Sequence, residues 1–215
     1  MDYHLPRHSS FAAVGARVVF LDLNADRYFL LRGAEAEALL AAGSKPSQPI
    51  ERLITRGLLR AGPGEAVRPV AAIAPTSSAL EAPQVDGRLP WPELLRHRAE
   101  AAVLLRLLGL QATLARMRRL RRRSLGRLQR VGGRAEAARL ARGFARARLF
   151  LPAARLCVPD SIALARSVWR RGIAADLYFG VRLDPFAAHC WLQHEDLLLS
   201  DPLNFVADYT PVFRL

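Results

Sequence analysis

Ala188-His189-Cys190-Trp191-Leu192-Gln193 is followed, after only His194-Glu195-Asp196, by Leu197-Leu198-Leu199-Ser200-Asp201. Two short apolar runs separated by three polar residues read as a β-hairpin. With the loop centred on Glu195, His189 comes opposite Asp201. Because side chains alternate across a strand, His189, Trp191, Leu199 and Asp201 then share one face while Cys190 points to the other. A carboxylate opposite an imidazole holds one ring nitrogen, fixes the tautomer and stabilises the imidazolium. The second nitrogen is left to take a proton from a nucleophile.

Upstream, Cys157 precedes Val158-Pro159-Asp160-Ser161, the composition of a helix's first turn, and a helix is predicted from about Pro159 to Arg171. The unsatisfied N–H groups and the macrodipole at such a terminus favour a thiolate. Asp176 to Leu183 is strand-like and precedes the hairpin, so a helix followed by antiparallel strands gives an α+β class. Cys157, His189 and Asp201 are the candidate catalytic residues. Set against them, a buried cysteine under a helix start and a hydrogen-bonded His–Asp pair are each common structural features.

Towards the N-terminus, Arg17-Val18-Val19-Phe20-Leu21-Asp22 and Arg27-Tyr28-Phe29-Leu30-Leu31 predict a second hairpin, joined by Leu23-Asn24-Ala25-Asp26. Helices are predicted over Glu35 to Ala42 and over Pro49 to Arg60, the second ending before Gly62. Ala61 to Pro92 is rich in Pro, Gly, Ser, Thr and Ala, an extended connection. These shifts divide the chain into a winged-helix-like hairpin and helix domain at 1–62, a linker at 63–92 and a catalytic domain at 93–215. From Glu93 to Leu151 the pattern is helical, with Leu110, Leu114, Met117, Leu120, Leu125, Leu128 and Val131 on one face. Arg121 falls inside that apolar arc, and Gly126 is a candidate break.

The formal charge of +13 comes from this middle segment, where Arg96 to Arg148 holds sixteen arginines against Glu100 and Glu136. A basic nucleic-acid-binding protein is therefore an alternative, weakened by the lack of an aromatic residue for base stacking before Phe144. Docking of Arg116 to Arg130 on a membrane or an acidic partner is compatible with either reading. Arg17 interrupts the first apolar run and the uncharged stretch Pro69 to Leu80 is too short to span a bilayer, so a cytoplasmic protein is expected. Cys157, Cys190, His189 and His194 lack paired metal-ligand spacing, and no metal is expected.

Cys157 with Ser161-Ile162-Ala163-Leu164-Ala165, Arg171-Gly172, Gly180-Val181, Phe186, Ala188-His189-Cys190-Trp191 and Asp201-Pro202 resembles the transglutaminase-like, papain-like core of lasso-peptide leader peptidases, the B proteins of that biosynthesis. Cys190 stands where that family's pattern has a small residue. Val18 to Leu23, Arg27 to Leu31 and Leu53-Ile54-Thr55-Arg56-Gly57-Leu58-Leu59 resemble the PqqD-like peptide-recognition domain of such systems, with a shortened stretch between Gly33 and Gly57. The resemblance implies a cysteine peptidase that hydrolyses the leader–core bond of a ribosomally made precursor. It also implies leader contacts at Arg27, Tyr28, Phe29, Leu30, Leu31, Leu53 and Ile54, an ATP-dependent cyclase as partner, and no cofactor. Hydrolysis and acyl transfer to an amine share the thioester, and the sequence leaves both open.

Overall fold

The computed structural model describes residues 2–41, 47–64, 66–81, 87, 89–127, 133–151 and 153–215. The expected N-terminal hairpin forms as β3 (Arg17–Asp22) and β4 (Arg27–Leu31), preceded by β1 (Tyr3–His4) and by β2 (Ser9–Val14), a strand the sequence reading did not mark. Strands β2, β3 and β4 make an antiparallel meander in that order, leaving β4 at an edge. The Asp22 carboxylate accepts the N–H groups of Asn24 and Ala25 at 2.8 and 3.1 Å, and Asp26 takes φ 50°, which closes the turn.

Both faces of this small sheet are covered. Phe11, Val18, Phe20 and Leu31 pack with Leu39 of α1 (Ala34–Leu40) and with Ile50 and Leu53 of α2 (Gln48–Thr55). Ala12, Val19 and Leu21 belong instead to the main core of the molecule. Two buried faces account for the near-continuous apolar run Val18 to Leu21 in place of alternation. Helix α2 stops at Thr55, earlier than the expected Arg60, because Gly57 turns left-handed at φ 74° and the Leu58 N–H returns to the Leu53 carbonyl at 2.9 Å. Arg60–Ala61 then pairs with β1 as β5.

The remaining elements are β6 (Ser77–Ser78), α3 (Trp91–Arg127), α4 (Arg134–Arg148), α5 (Cys157–Trp169), β7 (Asp176–Arg182), β8 (Ala187–His194), β9 (Leu197–Leu198), α6 (Leu203–Val206) and β10 (Thr210–Arg214). The second sheet has the order β10-β7-β8-β9-β6. Its pairs are antiparallel except β6 on β9, so the stretch expected as a linker supplies a parallel edge strand. An α+β architecture results.

The expected helix from Glu93 to Leu151 is divided. Gly109 breaks α3 at φ 73°, and α4 starts after Gly133. The expected break at Gly126 is absent, that residue lying within α3. Leu110, Leu114 and Met117 of the apolar stripe are buried, while Leu128, Arg130 and Val131 lie outside the described residues. Arg121 sits in the apolar arc because its guanidinium reaches Asp176 at 2.5 Å.

Helix α5 is the centre of the main core, with Ile162, Ala163, Leu164, Ala165, Val168 and Trp169 fully buried between β8 and the long helix α3. At about 25 cal/mol per Å² of apolar surface, each large side chain so buried contributes roughly 2 kcal/mol. Arginine binds the two helices at their polar margin. Arg171 grips Glu93 with both terminal nitrogens at 2.7 and 2.9 Å, and Arg166 pairs with Glu100. Among the described residues no helix is long and apolar enough to cross a membrane.

His97 of α3 is wholly buried and meets the Ser167 hydroxyl of α5 at 2.9 Å. Burial first, and the neighbouring Arg166 second, hold its pKa down at about 4, partly opposed by Glu93. The neutral ring belongs to the fold, so its contribution is complete above the unfolded value near 6.5 and is lost as pH falls towards 4. Urea unfolding from pH 7 to pH 4 is expected to show a loss on the order of 3 kcal/mol from this group. His97→Gln should flatten that part of the profile, and an unchanged slope would contradict the assignment.

Candidate active site

Cys157 is the first residue of α5, as the first-turn composition predicted, with Leu156 extended before it at φ −126°. Its position is fixed from below. Asp160, one turn along, accepts Arg98 Nε at 2.6 Å, Arg148 Nε at 3.2 Å and the Leu156 N–H at 3.2 Å. The same arginines hold the approach loop, for Arg98 donates to the Ala154 carbonyl and Arg148 to those of Leu151, Ala153 and Ala154. On the other side, the Ser161 hydroxyl donates to the Cys190 carbonyl at 2.9 Å, which ties α5 to β8.

His189 and Asp201 meet as the sequence predicted, His189 Nε2 lying 3.0 Å from Asp201 Oδ1. The predicted register, however, is corrected by one residue. Glu195 takes φ 54° and the turn holds only Glu195 and Asp196, so His194 pairs with Leu197 and Gln193 with Leu198. Leu199 therefore lies with Cys190 and Leu192 in the main core, whereas Trp191 packs with Tyr178, Leu198 and Val206. The ladder ends here because Ser200 Oγ accepts the Leu192 N–H at 2.9 Å in place of a backbone carbonyl. The chain then turns, and Asp201 reaches His189 from beyond the strand.

Two serines hold Asp201, one at its carboxylate and one at its backbone carbonyl. Ser200 donates to Asp201 Oδ2 at 2.5 Å, and Ser78 of β6 donates to the Asp201 carbonyl at 2.7 Å. Ser200 was legible as the neighbour of Asp201, but nothing in the sequence linked Ser78 to a residue so far along the chain. His189 is enclosed by Trp191 in a stacked arrangement and by Phe205 and Tyr209 at 5.0 and 5.5 Å between ring centres. Gly180 is its cross-strand partner.

With Nε2 engaged by Asp201, Nδ1 is the nitrogen left to serve Cys157, which lines the same two cavities as His189. Burial opposes ionisation of Cys157. It is outweighed by the neighbouring His189 imidazole with its charge and by the backbone N–H groups of Cys190 and Val158, so the thiol's pKa lies below its ordinary value. Burial also works against protonation of His189, but Asp201 and Cys157 raise its pKa to about 9. Both shifts run in the direction of a thiolate–imidazolium pair. Cys190 is 1% exposed, and burial drives its pKa well above the usual thiol value. Among the described residues no His, Cys, Asp and Glu cluster has the form of a metal site.

The expected leader contacts divide by position. Leu31 and Leu53 are fully buried in the N-terminal core, whereas Arg27 and Leu30 are exposed and Tyr28, Phe29 and Ile54 half-buried. Tyr28 is brought to the candidate triad: it lines one cavity with Cys157 and His189.

A cysteine at a helix start, an imidazole on an antiparallel strand and a carboxylate just past the next form the arrangement that cysteine-dependent chemistry uses. The model of the transglutaminase-like superfamily matches residues 99–214, more than half of the chain, and this protein belongs to that superfamily. Its members are generally cysteine-dependent enzymes. No curated protein and no solved structure matches the chain.

Iodoacetamide is expected to alkylate Cys157 at pH 6–7 while leaving Cys190 untouched in the folded protein, as read by peptide mass mapping. Asp201→Asn removes a cause of the raised His189 pKa, so the pH midpoint of alkylation should move up. A second expectation concerns Gly180, where a Cβ would come within 2.5 Å of the Trp191 ring. Gly180→Ala should cost about 1–3 kcal/mol in thermal unfolding and disturb the near-UV spectrum of Trp191.

Proposed function

We propose that the protein is a cysteine peptidase that recognises the leader of a ribosomally made lasso-peptide precursor through residues 1–62, PqqD-like in role. Residues 93–215, on this reading, hydrolyse the leader–core bond. One observation carries the reading beyond the family: Tyr28, on the unpaired edge strand β4, lines the same cavity as Cys157 and His189. A sheet edge offers a peptide a row of unpaired N–H and C=O groups, and pockets beside it select side chains. A recognition edge that ends at a nucleophile suits a substrate recognised at one place and cut close by. Arg27, Phe29, Leu30 and Ile54 supply the accessible contacts, with Leu31 and Leu53 as the support beneath them.

The Cys157 thiolate attacks the carbonyl carbon at the junction, giving a tetrahedral oxyanion. The N–H groups of Cys190 and Val158 that face the sulfur, with that of Cys157, are the nearest donors for it. His189 protonates the leaving nitrogen, the C–N bond breaks, and a free amine and a thioester remain. Water then gives a proton to His189 and attacks the thioester. The C–S bond breaks, leaving a carboxylate and the thiolate. Asp201 holds the imidazole throughout, and the released core passes to an ATP-dependent cyclase. No cofactor enters these steps, and a cytoplasmic setting accords with precursor synthesis on the ribosome.

Incubation with the precursor peptide encoded beside this gene tests the reading. Free leader and free core, detected by mass, are the expected products. Cys157→Ala should abolish cleavage and Cys190→Ala should not, while Asp201→Asn should lower kcat by at least about 100-fold with little change in leader affinity. An isopeptide or amine adduct in place of free leader would mark acyl transfer, and cutting by Cys157→Ala would overturn the assignment.

A further inference from the structure

Three cavities adjoin one another through shared lining residues. The first, between β4 and the turn joining β7 to β8, is lined by Arg17, Tyr28, Leu30, Asp184 and Phe186 among others. The second, of about 440 Å³, holds Tyr28, Leu105, Leu110, Phe179, Cys157 and His189. It shares Asp26 and Tyr28 with the first. The third, of about 680 Å³, extends beyond the catalytic pair to Asp201, Phe205, Phe144 and Arg155. Among the described residues, only Cys157 and His189 line both the second and the third. The reacting pair is thus the neck between two chambers.

We propose that the middle chamber holds the side chains just before the scissile bond, that the third takes the amine side, and that Tyr28 is a positioning residue for the acyl group. The direction rests on the peptidase reading above. A peptide pairing antiparallel with β4 runs from Leu31 towards Arg27, so its C-terminal end meets Tyr28 and then Cys157, whereas a parallel peptide would lead away. The environment of His189 agrees with this direction. The proton it gives goes to the leaving nitrogen, and its flanking groups Asp201 and Phe205 line the third chamber and not the second.

Tyr28 is equipped to hold a fixed position. Its ring meets Phe186 edge to face at 5.6 Å, and Phe186 lies one residue before β8, the strand that bears His189. The turn that carries Phe186 is fastened to the N-terminal sheet by Arg17, which donates to Asp184 at 2.6 Å. Burial, then the nearby Cys190, Asp26 and Cys157, keep the phenol un-ionised. It therefore presents an apolar face with a neutral donor. Leu105 and Leu110 close the chamber from the other side, on either flank of the break at Gly109. This lining selects a bulky apolar residue next to the cut on its acyl side.

Acyloxymethyl ketones test this without requiring turnover. Such probes place a chosen residue on the acyl side and lose a carboxylate as the thiolate alkylates. One bears leucine beside the ketone and the other glycine. Alkylation of Cys157 is followed by intact mass, and each rate is divided by the iodoacetamide rate of the same variant. The leucine probe should react at least about 10-fold faster than the glycine probe with the wild type. Tyr28→Ala should reduce that ratio several-fold, and Leu105→Trp, which narrows the chamber from the opposite wall, should do so even where Tyr28→Ala unfolds the protein. A wild-type ratio near one, or a ratio that follows Phe144→Ala or Phe205→Ala in place of Tyr28→Ala, would overturn the proposal. If the ratio behaves as stated and the precursor is not cut, the hydrolysis reading fails and the acyl-side chamber stands.

Discussion

The carboxylate of Asp160 is the constraint on which the placement of Cys157 beside His189 depends. One charged group on the first turn of α5 is shared by Arg98 of α3 and Arg148 at the end of α4, and the same two guanidiniums bind the carbonyls of the loop that leads to Cys157. A helix N-terminus with its loop and two supporting helices is thereby fixed at one point. A partly buried carboxylate with two arginines is stabilising only when its hydrogen bonds are well made, and here three groups converge on it. The sulfur can then rest at a helix start against the amide of Cys190 without a loop's freedom of movement. Catalytic pre-organisation of this kind, more than any unusual side chain, is what a thiol–imidazole pair requires.

The arginine excess takes on a different meaning in this light. Arg98, Arg121, Arg148, Arg166 and Arg171 are internal fasteners between the long helices, α5 and β7. Part of the charge that resembled a nucleic-acid surface is consumed inside the protein. Guanidinium suits that work because its planar fork reaches several oxygens at once. The exposed arginines of the second half of α3, such as Arg118, Arg119 and Arg122, remain a solvated face.

How far the site was legible depended on the distance over which each signal acts. Cys157 at a helix start, His189 and Asp201 twelve residues apart, and the exclusion of Cys190 by strand alternation are local properties, and each could be read from a few neighbours. The hairpin register could not, because a left-handed Glu195 and a three-residue loop leave the same polar stretch in the sequence. The outcome survived the error, since Asp201 reaches His189 from a bend whose cause is a hydroxyl standing in for a ladder bond. The strands β6 and β10 lay beyond the sequence for another reason. Their stability comes from partners distant in the chain, and Ser77–Ser78 has no intrinsic preference for a strand. The meeting of Tyr28 with Cys157 is likewise a product of packing two sheets together.

Ser78 has a consequence for how such a chain could be divided. It comes from the connection upstream of α3, yet its hydroxyl holds the backbone of Asp201, and its strand closes the edge of the catalytic sheet beside β9. Gene fission into an N-terminal and a C-terminal polypeptide would preserve the hold on Asp201 only with a break upstream of Thr76, whose own amide is bound to the Asp196 carbonyl. The proline-rich stretch thus contains a fixed frontier. From Ser77 onwards the chain already belongs to the second sheet.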